Sequence, residues 1–171
     1  MNTKKSWKVL SWNVRGLNSD RKWNSIRDKI FESRAEIICL QETKKEDFDM
    51  SFIRRICPTD FDSYEFLPSI GASGGILIAW KSGAFSGHMS FSNEFAISVE
   101  LTSRLDNESW LLTSVYAPCT ATGKREFLNW FKNIEMPEDQ DWLVVGDFNL
   151  LRRPEDRNRE GADLNEMFLF N

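Results

Sequence analysis

The stretch "LVVGDFNLL" (Leu143–Leu151) interrupts an apolar run with Gly-Asp-Phe-Asn and then resumes it. Paired valines ahead of the break read as a buried central strand. Gly146 ends or bends that strand. Asp147 and Asn149 then stand two residues apart. In strand geometry, positions i and i+2 face the same way, so a carboxylate and a carboxamide would lie side by side at the strand end. The alternative is a turn cap, since Asp and Asn are ordinary turn residues. Which of these holds depends on the rest of the chain.

The 171 residues suffice for one domain with a core, and 41% apolar content indicates a globular chain. Seven Trp and 13 Phe supply large core pieces, with some available to a binding surface. A net charge of −4 argues against charge-driven wrapping of nucleic acid. It suits a site that gathers carboxylates around a cation, which would then admit a phosphate. Cys39, Cys57 and Cys119 are odd in number and widely spaced, so neither a disulfide framework nor a zinc site is indicated. A reducing, intracellular compartment is expected. The N-terminal residues lack the apolar length of a signal peptide, and no run approaches membrane-spanning length.

Outward from the opening stretch, the chain reads as one α/β domain over residues 1–171. A strand is expected over Lys8–Val14 and a second over Glu36–Glu42. Between them lies a helix capped by Ser19 or Asp20, with Trp23, Ile26 and Ile30 on one face. Strand, helix, strand suggests a βαβ unit, although mixed sheets also use this order. A short helix is expected from about Asp47 to Ile56, with Pro58 stopping it. Short β-like runs from "SYEFLPS" to "SWLLTSVYAP" read as an antiparallel meander. Phe127, Trp130, Phe131 and Ile134 mark a helix by their spacing. "RRPEDRNREG" reads as a loop and "ADLNEMFLFN" as the start of a further helix.

Polar residues collect where strands end. Asn13 closes the first, Gln41 and Glu42 the second, Tyr116 precedes a strand-ending Pro, and Asp147 and Asn149 follow the last. Catalytic groups often sit on loops held by such a scaffold. Glu42 is a hard oxygen ligand suited to Mg²⁺. Asp147 would serve as base toward a water or hold it in line with phosphorus. Asn13 and Asn149 would support the carboxylates and donate to a phosphate oxygen, and Tyr116 would donate to the same phosphate. Each also has a plainer reading: Glu42 as a solvated loop acid, Tyr116 as a half-buried core aromatic, Asn13 as a turn former.

Taken together, "SWNVRGL", "CLQET", "SGGILI", "SVYAP" and "VVGDFN" resemble, in order and separation, the endonuclease/exonuclease/phosphatase superfamily of apurinic endonucleases, DNase I-like nucleases and inositol-phosphate phosphatases. The wording is most similar to the endonuclease domain of plant LINE-type (non-LTR) retrotransposon polyproteins, and "RRPEDRNREGAD" with "MFLFN" supports that subgroup. The resemblance implies a DNase I-like four-layer sandwich of two mixed β-sheets flanked by helices. It implies Mg²⁺-dependent (or Mn²⁺-dependent) phosphodiester hydrolysis, with DNA as partner and a nuclear site of action. Glu42 would be the metal ligand with support from Asn13. Asn149 would also support metal and phosphate, Asp147 would handle the attacking water, and Tyr116 would touch the scissile phosphate. Ser73-Gly74-Gly75 would be a structural turn.

Two departures stand against the pattern. Apurinic endonucleases carry an acid where this chain has Arg15, and the family's terminal Ser-Asp-His motif has no counterpart. The single histidine, His88, reads as an ordinary strand residue of the meander. A C-terminally truncated domain with an incomplete second sheet is therefore expected, with self-association through the open face. A monodisperse monomer would count against that. Arg15, Arg152 and Arg153 are candidate phosphate contacts, the last two set against a solvated loop with internal ion pairs. Three functions follow: a DNA-nicking endonuclease, a phosphatase of the same fold, or a catalytically inactive remnant.

Overall fold

The structure, a computed structural model, describes residues 6–150. Two four-stranded sheets form its frame. The first contains β1 (Val9–Asn13), β2 (Ile37–Gln41), β3 (Ser63–Leu67) and β4 (Ile76–Trp80), in the order β1-β2-β4-β3. The second contains β5 (Phe85–Ser92), β6 (Ala96–Ser103), β7 (Ser109–Tyr116) and β8 (Asp141–Asp147), in chain order. Both sheets are mixed. β1 runs parallel to β2, and β7 parallel to β8, while the remaining pairs are antiparallel. The expected meander is thus divided: β3 and β4 join the first sheet, and only β5–β7 form a meander in the second.

Alternation along the strands builds the layers, because successive strand residues face opposite ways. On β2, Ile37 and Cys39 enter the core between the sheets, while Ile38 and Leu40 face the helix layer. On β4, Ile76, Ile78 and Trp80 face inward and Leu77 and Ala79 outward. Ile97, Val99 and Leu101 of β6 meet them from the second sheet. Helices α1 (Asp20–Ser33) and α2 (Met50–Ile56) cover the first sheet with Ile26, Ile30, Ile53 and Ile56, all essentially fully buried. Helix α3 (Ala121–Lys132) covers the second with Phe127 and Leu128. The result is the four-layer, DNase I-like sandwich expected from the resemblance.

Several local expectations shift. Ser19 occupies the N-cap of α1 in extended conformation, but its side chain makes no cap hydrogen bond. Helix α2 starts at Met50 rather than Asp47, because the Asp49 carboxylate accepts the Phe52 N–H and so fixes the cap there. Gly146 does not end its strand: β8 runs on to Asp147, with Gly146 at φ +136° opposite Val115. The loop and helix expected after Leu150 lie outside the described residues, as do Arg152 and Arg153.

Candidate active site

Each sheet delivers its polar residues to the C-terminal end of a parallel strand pair. In the first sheet Asn13 pairs with Gln41 at the last register position of β1 and β2. In the second, Tyr116 pairs with Asp147 at the last position of β7 and β8. The two ends meet. Asn13 Nδ2 donates to Asp147 Oδ2 at 2.5 Å, a bond between residues 134 apart in sequence. Below it, the buried Gln41 carboxamide donates to Ser11 Oγ at 3.1 Å and to Ser114 Oγ at 2.9 Å, tying the first sheet to the second.

Both readings of "GDFN" are partly right. Asp147 closes a strand, but Asn149 does not continue it. Its φ of +48° turns the chain, and its N–H donates to Asp147 Oδ1 at 3.0 Å. This is the turn-capping geometry of Asp. The same turn nevertheless keeps the two side chains at one site. Asn149 Nδ2 donates to the Ala117 carbonyl at 2.6 Å, and Ala117 N–H donates to the Asp147 carbonyl at 2.8 Å. The turn is therefore bolted to the end of β7, beside Tyr116. Asn13 is likewise a turn former and a site residue together, since its Oδ1 accepts the Arg15 N–H at 3.1 Å.

Glu42 follows β2 at φ +53°, and Lys44 lies at φ +54°. This doubled-back backbone sets Lys44 Nζ 3.2 Å from Glu42 Oε1. The Gly74-Gly75 turn supports it, with Thr43 N–H donating to the Gly75 carbonyl and Lys44 N–H to the Gly74 carbonyl. At Gly75, φ +89°, a Cβ would overlap Thr43 Oγ1 and lie 3.3 Å from Lys44 N. A Cβ on Gly74 would reach 3.9 Å from the Tyr116 ring. The glycines therefore let one turn seat against both Glu42's neighbours and Tyr116.

The electrostatics agree. Burial first, and then the Glu42, Cys119 and Asp147 charges, push the Tyr116 phenol up to about 12. Tyr116 is thus a persistent donor at neutral pH, standing in the field of both carboxylates. Arg15 is exposed at φ +52° next to Asn13, and no ion pair to it is recorded among the described residues. His88 is an exposed residue of β5, paired with Glu100, away from these strand ends. Cys39 and Cys57 are buried free thiols, whereas Cys119 is exposed.

A divalent cation fits the donor chemistry. Glu42 and Asp147 both act on the Tyr116 phenol, Lys44 is paired to Glu42, and Asn13 turns its amide nitrogen to Asp147 while its amide oxygen accepts the Arg15 N–H. No group of three or more His, Cys, Asp or Glu able to hold a metal occurs among the described residues. Mg²⁺ takes one or two carboxylates and keeps several waters, and Glu42 and Asp147 are of that donor type. Sequence reading did not assign a role to Lys44; only the positive φ at Glu42 and Lys44 brings their charges together.

The sequence profile of the Endonuclease/Exonuclease/phosphatase family matches residues 10–166. The chain belongs to this family. Among solved structures, it is similar to the endonuclease domain of TRAS1, a telomere-specific non-LTR retrotransposon, at 15% identity and TM-score 0.63, covering 96% of this chain and 69% of that one. It is also similar to the AP endonuclease LMAP of Leishmania major, at 19% identity and TM-score 0.60, covering 91% and 59%. The human Nocturnin catalytic domain gives 16% identity and TM-score 0.58, covering 82% and 64%. The chain thus spans 64% and 59% of the lengths of the Nocturnin and LMAP structures. At these identities the likeness establishes the fold of the family. No curated protein matches the chain. Among the described residues, no helix is long and apolar enough to cross a membrane.

Proposed function

We propose that this chain is a metal-dependent endonuclease of the retroelement type, nicking DNA by phosphodiester hydrolysis. The Asn13–Asp147 hydrogen bond carries this reading, because it brings the strand ends of two sheets into one constellation with Glu42 and Tyr116 beside it. Family membership supports phosphoester chemistry, and members of the family generally depend on a divalent metal. A retrotransposon endonuclease and phosphatases both share this fold, so the preference for an endonuclease rests on the resemblance of the sequence motifs.

In this mechanism Glu42, with Asn13, holds Mg²⁺ or Mn²⁺. The bound cation supplies neutralising charge for phosphate oxygens and a more acidic water. Asp147 orients or deprotonates the attacking water, and its position is fixed by Asn13 on one oxygen and the Asn149 N–H on the other. Asn13 and Asn149 each retain a second amide N–H to offer a phosphate oxygen. Tyr116 donates its phenolic proton to the scissile phosphate, where developing charge strengthens the bond. Arg15, exposed beside the site, contacts the flanking backbone, where such contacts position the strand without reading sequence. A nuclear site of action is part of this proposal, as the retroelement resemblance implies.

Nicking of supercoiled plasmid by the purified chain tests this, with Mg²⁺, with EDTA, and with Asp147→Ala. Nicking should require Mg²⁺ and fall roughly 10²–10⁴-fold in Asp147→Ala, the usual range for one acid–base group. Nicking that survives EDTA or Asp147→Ala would refute the assignment. A folded chain that nicks nothing would leave a catalytically inactive member of the family.

A further inference from the structure

The inward face of the first sheet is apolar until its last step. Ile37 and Cys39 of β2, with Ile76, Ile78 and Trp80 of β4, belong to the core between the sheets. By the same alternation the next inward residue of β2 is Gln41, only 1% exposed. A carboxamide buried there is costly unless its hydrogen bonds are made, and an apolar residue would have continued the core. Gln41 Nε2 lies 2.9 Å from Ser114 Oγ on β7, 3.1 Å from Ser11 Oγ on β1 and 3.1 Å from the Cys39 carbonyl of its own strand. Acceptors on three strands and both sheets thus fix the place of one amide group.

These partners lie beneath the candidate site. Ser11 precedes Asn13 by two residues, and Ser114 precedes Tyr116 by two. Ser114 pairs with Val145 and Tyr116 with Asp147, so on β7 and β8 the tie sits one same-face step, roughly 7 Å, below the phenol and the carboxylate. Gln41 itself is the residue before Glu42. The tie therefore joins the strand that leads to the metal-binding acid to the strand pair that carries the water-handling acid. The other link between these strand ends, Asn13 to Asp147, is only partly buried, and in the mechanism above Asn13 also serves metal and phosphate. A link with that second duty exchanges partners during turnover. The Gln41–Ser114 bond is buried and has no such duty.

We propose that Gln41 is a positioning residue for the reaction: through Ser114 it fixes the distance between Glu42 on the first sheet and Asp147 and Tyr116 on the second. The proposal deepens the endonuclease reading and rests on it. Glu42 and Asn13, which hold the metal in that reading, keep their relation without the tie, because β1 and β2 are paired up to Asn13 and Gln41. The tie sets where that pair stands against the acid and the phenol opposite. A misplacement of about 1 Å between reacting groups lowers the rate on the order of 10²-fold.

Gln41→Met keeps the side-chain length and loses the amide, and Ser114→Ala removes the acceptor on the second sheet. In each, kcat for Mg²⁺-dependent nicking of supercoiled plasmid should fall on the order of 10²-fold. KM, and the Mn²⁺ affinity read by titration calorimetry, should stay at the wild-type values. The double variant should lose no more than the worse single variant, since both changes break one bond. Urea unfolding checks that each variant is folded. Ser114→Ala deletes one oxygen and leaves Gln41 two acceptors, so it carries the test if Gln41→Met does not fold. Wild-type kcat in folded Ser114→Ala, losses that multiply in the double variant, or a loss confined to KM or to Mn²⁺ affinity overturns the positioning role and leaves the endonuclease reading intact. A wild-type chain that nicks nothing overturns both.

Discussion

Gly146→Ala is the substitution whose cost the structure defines most sharply. Gly146 sits inside β8 at φ +136°, directly paired with Val115. A Cβ there would overlap the Val115 carbonyl oxygen and lie 2.8 Å from its amide nitrogen and 2.9 Å from its carbonyl carbon. All three are backbone atoms, so no rotamer change relieves the overlap. Holding a non-glycine residue in such a sparsely populated region costs about 1–3 kcal/mol. Separating the strands to make room would forfeit about two ladder hydrogen bonds, at a net ~0.5–1.5 kcal/mol each. The sum is about 2–6 kcal/mol, against a total stability of roughly 5–15 kcal/mol for a domain of ordinary stability. Urea unfolding followed by tryptophan fluorescence measures it, because Trp142 of β8 is bonded to Thr113 of β7 and reports on this junction. The denaturation midpoint should fall with little change in slope. Gly83→Ala is the control, since a Cβ there meets nothing within 4 Å. A Gly146→Ala loss below about 1 kcal/mol would refute the reasoning, being no more than an average substitution costs. The variant should also lose nicking under conditions where it is folded, because Asp147 is the next residue.

Lys44→Ala removes the ammonium paired with Glu42 and should tighten Mn²⁺ binding, read by titration calorimetry. The gain is up to roughly fivefold, since a partly exposed ion pair is worth about 0–1 kcal/mol; weaker binding would refute competition between Lys44 and the metal. Tyr116 should ionise near 12 rather than at the ordinary phenol value, seen as the difference in ultraviolet titration between the wild type and Tyr116→Phe. Because the folded state then holds a proton that the unfolded state has released, stability should fall as pH rises from about 10 toward 12, and Tyr116→Phe should flatten that fall. An inflection near the ordinary value would refute the burial and charge assigned to this phenol.

The strand ends were legible because a polar residue at the edge of an apolar run is a local signal. Asn13, Glu42, Tyr116 and Asp147 could all be found that way, and the structure brings them to one place. The partition of strands between sheets was not legible. β3 and β5 both read as β-like runs bounded by turn residues, and only pairing with β4 or β6 assigns each to its sheet. The choice between the two readings of Asn149 was open for a related reason. Period-2 alternation holds only while the backbone stays extended, and the Asp147 carboxylate captures the Asn149 N–H and ends that extension. The Glu42–Lys44 pair was hidden because it forms where the chain doubles back through two positive-φ residues, and neither Glu nor Lys is a residue type that marks such a turn. Gln41 was noted as a strand-end residue, yet its role as a tie between sheets depends on Ser114, 73 residues away.

The bond from Asn13 to Asp147 also has a bearing on biosynthesis. One partner leaves the ribosome early and the other only after β8 has been made, so no shorter N-terminal portion carries both halves of the constellation. Under the proposed endonuclease function, premature activity would endanger the cell that makes the chain. With the roles proposed for Asp147 and Glu42, their placement on two sheets would leave neither nascent half competent, and competence would coincide with the docking of one sheet upon the other.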